Sequence, residues 1–150
     1  MGQRQSLILG LLGLIPFILI TVGCFITPPD ETVYDLLIFI FVAYAAIVAS
    51  FLGGIQWGLI TASADKIYAV FVPLLTSVIP ALVAWSALLT IRNLRLSLTL
   101  IIIAFVIASL HDYYLHQKKI PPYWFFNIRL PLSLAVVILA SIMLFFAQFN

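Results

Sequence analysis

Hydrophobic positions along this chain run in long uninterrupted blocks, and polar positions are confined to brief breaks between them. A helix crosses the hydrocarbon of a bilayer with about 20 apolar residues. Five segments reach that length, at 7–26, 36–62, 68–91, 96–115 and 128–149. Membrane β-strands would instead alternate over about ten residues, and no such alternation is present. The pattern predicts an all-α polytopic membrane protein, a five-transmembrane-helix bundle forming one integral domain over 1–150. Short connections make consecutive helices antiparallel neighbours. The fourth span is the weakest of the five, because only 96–110 is free of ionisable groups.

The stretch "SFLGGIQWGL" interrupts the second block with three glycines. Every fourth residue through it is small: Ala46, Ser50, Gly54, Gly58 and Ala62. The adjacent row is Ala45, Ala49, Gly53 and then Trp57. Residues four apart stack on one helix face, and in lipid small residues let helix backbones approach closely. Ser50, Gly53, Gly54 and Gly58 are therefore expected at a helix-packing face. The partner is another helix of the chain, a second copy in a homodimer, or a ligand groove. In the third block Pro80 leaves the carbonyl of Thr76 without its helical donor, which predicts a kink. Thr76 and Ser77 hydroxyls stand where they could compensate; a hinge or broken-helix binding point is the alternative.

Composition strengthens the membrane assignment. Hydrophobic residues make up 65% of the chain and charged residues 8%, against about 25% charged in soluble domains. A net charge of +2 without any Lys/Arg-rich run argues against nucleic acid as a partner. Cys24 is the sole cysteine, so no intrachain disulfide forms. The first apolar block exceeds the roughly 7–15 residues of a signal peptide core, and Thr21 spoils a lipoprotein reading of "TVGC"; the block is expected to stay as a helix. Cytoplasmic loops favour Lys and Arg. An inner N-terminus puts Arg4, Lys66, Lys118, Lys119 and Arg129 inside and leaves Arg92 and Arg95 outside, so the expected topology is N-terminus in the cytoplasm and C-terminus in the periplasm.

Three polar side chains on three helices, Gln56, Asp112 and Arg129, fall at one depth near the inner edge of the hydrocarbon. An unpaired charge there is expensive, which predicts an Asp112–Arg129 ion pair. The competing arrangement is a snorkelling Arg129 beside a solvated Asp112. His111, Asp112 and His116 lack a further ligand of suitable spacing, so neither a metal nor a cofactor is expected. Tyr113, Tyr114, Tyr123 and Trp124 suit the interfacial aromatic belt. Arg92 and Arg95, three residues apart, are expected either to pair with Asp30, Glu31 or Asp35 or to clamp a phosphate. Together with Trp124 they are the candidate lipid-binding residues.

The blocks "YAAIVASFLGGIQWG", "SVIPALVAW", "HD" and "PPYWFFNIRLPLSL" give the chain, from about Tyr44 onward, a resemblance to the transmembrane protein 69-like family, or domain of unknown function 3429. The resemblance implies a small multi-span protein of bacterial inner membranes or mitochondria and supplies no catalytic residue. The lack of an Arg-rich amphipathic leader favours a bacterial member. No hydrolase triad or nucleotide loop is present, so the expected function is non-enzymatic: a role in cell-envelope or lipid homeostasis through membrane lipids or a partner membrane protein. Two alternatives stand beside it. One is a binder or transporter of small hydrophobic molecules. The other is an intramembrane lipid-modifying enzyme using Asp112 and His116 as its acid/base pair.

Overall fold

A computed structural model describes residues 2–28, 32–66 and 69–146. It contains five α-helices, α1 (Gly2–Ile26), α2 (Thr32–Ala62), α3 (Phe71–Leu89), α4 (Leu94–Gln117) and α5 (Tyr123–Phe146), with a 3₁₀ turn at Ala64–Lys66. All five are long and apolar enough to span a bilayer. Most extend beyond the apolar blocks, because polar and aromatic residues at the interface continue the helix. At 1.5 Å per residue, the 31 residues of α2 reach about 46 Å, well past a hydrocarbon core of about 30 Å. The third helix is shorter than expected, and positions 68 and 147–149 of the expected spans lie outside the described residues.

Helix boundaries follow local chemistry. Asn93 caps α4, its side chain accepting from the Leu96 N–H at 3.1 Å, which satisfies one of the donors orphaned at a helix start. The pair Pro121–Pro122 precedes α5, where the Phe125 N–H donates to the Pro122 carbonyl at 3.0 Å. Because α5 begins at Tyr123 rather than at 128, Arg129 and Pro131 sit inside the helix. Pro131 is thus not in the first turn: the aromatic run 123–126 supplies an additional turn ahead of it.

Each helix packs on the next in sequence, and α1 packs on α5, closing a ring. Across the ring, α2 also touches α4. That contact divides the bundle into a tight α2–α3–α4 wedge and a wider half bounded by α1, α2, α4 and α5. In the wedge, Ala45, Ala49 and Gly53 of α2, Ala84 and Ala87 of α3, and Ala104 and Ala108 of α4 are all buried. A Cβ added to Gly53 would strike the backbone carbonyl of Ser77, so the approach of α2 to α3 requires glycine there. Ser97 Oγ donates to the Ala87 carbonyl at 2.7 Å and ties α4 to α3. Rings pack into part of the wider half: Phe17 meets Phe41 edge-on at 5.2 Å and Phe105 at 6.4 Å. Leucine, isoleucine and phenylalanine side chains cover the outer surface of the bundle, as a lipid-facing surface requires.

Candidate functional site

The inner polar residues converge. Gln56 of α2 is fully buried, Asp112 of α4 is 2% exposed and Arg129 of α5 is 8% exposed. Arg129 donates to Asp112 Oδ2 from Nε at 3.2 Å and from Nη2 at 3.0 Å. Gln56 Nε2 donates to the other carboxylate oxygen, Oδ1, at 2.8 Å and to the Ala108 carbonyl at 2.9 Å. The Arg129 guanidinium also lies 5.4 Å from the centre of the Phe125 ring, in cation–π range. Arg129 is therefore paired and buried, and the snorkelling arrangement does not occur.

His111 joins this cluster, which the sequence reading did not anticipate. Both neighbours of Gln56 Nε2 are pure acceptors, which fixes the amide so that Oε1 faces His111 Nδ1 at 3.1 Å. A carbonyl oxygen only accepts, so Nδ1 carries a proton and donates. His111 Nε2 is buried with no hydrogen-bond partner among the described residues. His116, the expected acid/base partner of Asp112, turns away and stacks on Phe126 at 5.2 Å. The signal that could have found His111 was its spacing: 108, 111, 112 and 115 form one helical face, and all four residues are buried.

A cavity of about 480 Å³ occupies the wider half of the bundle. Its walls come from positions 6–17 of α1, 44–55 of α2 and 124–136 of α5, and Phe105 of α4 completes the lining. Leu9 and Phe51 belong to the walls and are largely exposed, so the cavity opens on the lipid-facing side. Its lining is mostly apolar, with Arg129, Ser133, Tyr44 and Ser6 as the main polar positions. Tyr44 Oη donates to the Gly13 carbonyl at 3.1 Å and links α2 to α1 across it.

The remaining sequence-predicted residues separate from one another. Trp124 lines the cavity, whereas Arg92 and Arg95 are exposed at the α3–α4 turn. The 24 residues of α4 set the two places about 35 Å apart at 1.5 Å per residue, so the three do not form one site. Asp30 and Glu31, two of the acids expected near the arginines, lie outside the described residues. The small-residue face also divides. Gly53 packs on α3, but Ser50, Gly54 and Gly58 are exposed, and a Cβ at Gly54 or Gly58 meets nothing within 4 Å. Those three positions are one residue out of register with the packing face and form no seam within the chain, although Ala46 of the same row is buried. Pro80 lies buried inside α3, yet the nearby hydroxyls do not serve the Thr76 carbonyl. Thr76 Oγ1 donates to Val72 O at 2.9 Å and Ser77 Oγ to Leu74 O at 2.7 Å.

The family profile described as "Protein of unknown function (DUF3429)" matches residues 2–145. The chain belongs to this family. The match includes α1 and the start of α2, so the likeness reaches further toward the N-terminus than the blocks after Tyr44. Transmembrane protein 69 of Xenopus tropicalis is 34% identical over 141 residues, covering 91% of this chain and 52% of that protein. Transmembrane protein 69 of Mus musculus is 30% identical over 137 residues, covering 91% of this chain and 54% of its own length. The chain thus spans about half the length of these relatives. No solved structure matches it.

Proposed function

We propose that this DUF3429 protein is a non-enzymatic lipid-binding membrane protein, and that it holds a lipid or lipid-like molecule in the cavity between α1, α2 and α5. One observation carries the reading: an apolar space of about 480 Å³ that opens toward lipid and has Arg129 among its lining residues. Ligand sites are commonly clefts of about 300–1,000 Å³, mostly apolar with a few placed polar groups. The lateral opening favours a molecule that already resides in the bilayer. The proposed setting is a bacterial inner membrane, N-terminus cytoplasmic and C-terminus periplasmic, with the bound lipid contributing to envelope or lipid homeostasis. Arg92 and Arg95, exposed at the opposite membrane surface, suit a separate contact with phosphate headgroups.

Gly13 lines the cavity, and a Cβ there meets only Tyr44 Oη, at 4.0 Å. Gly13→Leu therefore fills the space from one wall. Native mass spectrometry of detergent-purified protein should show a bound lipid on the wild type that is lost from the folded variant. Equal occupancy on both would remove the cavity as the binding place.

A further inference from the structure

We infer that the cavity takes an uncharged amphiphile, an apolar body ending in a carbonyl or ester oxygen, which accepts hydrogen bonds from Ser133 and Arg129. The inference rests on the cavity being a lipid site and specifies the chemistry of its occupant.

Ser133 supplies the first observation. It is 3% exposed, lines the cavity, and makes no hydrogen bond among the described residues. Hydroxyls within apolar helices commonly fold back onto a carbonyl one turn earlier. Ser50, Ser109 and Ser141 do so here, at 2.9, 2.8 and 2.7 Å. Ser133 does not, so its hydroxyl keeps its donor for an acceptor outside the helix. An acceptor inside the cavity would satisfy it.

The second observation is the position of Arg129, one helical turn before Ser133 and in the same wall. A guanidinium has more N–H donors than the two given to Asp112. Those two bonds already bring a full negative charge to the arginine, and Gln56 holds that carboxylate from its far side. A bound anion would place a second negative charge beside Asp112 in an apolar interior, where like charges strongly disfavour one another. A neutral acceptor meets the spare donors without that repulsion. The pairing that makes Arg129 tolerable in the membrane thus sets the selectivity of the cavity.

Trp124 in the wall offers a direct readout. Trp57 and Trp85 are exposed, so the Trp57→Phe, Trp85→Phe protein leaves Trp124 as the sole tryptophan. Brominated methyl decanoate, brominated decanoate and bromodecane are titrated in detergent, at a pH where the acid is ionised. Quenching counts only if it saturates and is reversed by excess unbrominated methyl decanoate. The ester should bind at least tenfold more tightly than the carboxylate and more tightly than the alkane. Ser133→Ala should weaken the ester by about two- to tenfold, the worth of one neutral hydrogen bond, and leave the alkane unchanged. Saturable binding in which the carboxylate equals or exceeds the ester would overturn the neutral-acceptor inference while keeping the lipid site. Absence of saturable quenching by all three probes would overturn the lipid site itself.

Discussion

Arg129 directs both of its bonds with Asp112 at a single carboxylate oxygen, Oδ2, and Oδ1 is left to Gln56. One carboxylate thereby joins α2, α4 and α5 near one end of the bundle. Both side chains are buried, so removing one partner strands the other in an apolar setting. The alanine variants of Asp112 and Arg129 should each destabilise by about 3–5 kcal/mol. The double variant should cost clearly less than their sum, since coupled groups are not additive. Reversible unfolding in mixed micelles measures all three; additive losses would contradict the pairing.

Gln56 and His111 should differ in their contributions. Gln56→Leu deprives Asp112 Oδ1 and His111 Nδ1 of their partners, and each stranded buried group costs about 1–3 kcal/mol. His111→Phe strands only Gln56 Oε1 and also removes the unpartnered Nε2. The first variant should therefore melt at a markedly lower temperature than the second. The reverse order would mean that His111, and not Gln56, secures the cluster.

Two adjacent glycines should respond oppositely to alanine. At Gly53 the new methyl meets the Ser77 carbonyl, and forced overpacking of this kind costs about 1–3 kcal/mol. At Gly54 the methyl enters open space, so stability should hold or rise by up to about 1 kcal/mol through helix propensity. Equal melting temperatures for the two variants would contradict the close approach of α2 to α3.

The proposed orientation is open to thiol labelling. In a Cys24→Ser background, cysteines at Gln3 and Pro28 occupy exposed positions at opposite ends of α1. An impermeant reagent applied to intact cells should label the second and spare the first. Labelling of the first alone would invert the topology.

The helices were legible in the sequence because a membrane span is a one-dimensional property: about 20 apolar residues suffice wherever they occur. The depth shared by Gln56, Asp112 and Arg129 was legible for the same reason, since helical rise converts sequence position into height. Rotation about the helix axis was not. A single residue step on α2 separates Gly53, pressed on a carbonyl, from Gly54, facing outward, and both rows are small and apolar enough to pack. Only the crossing of α2 with α3 and α4 decides between them. His111 was missed likewise, because nothing in the local sequence sets its ring toward Gln56 of a helix distant in the chain. The cavity belongs wholly to tertiary structure: it exists because α2 meets α4 and the ring closes through α1 and α5. Residues from four separate helices line it, so no contiguous pattern of residues records it.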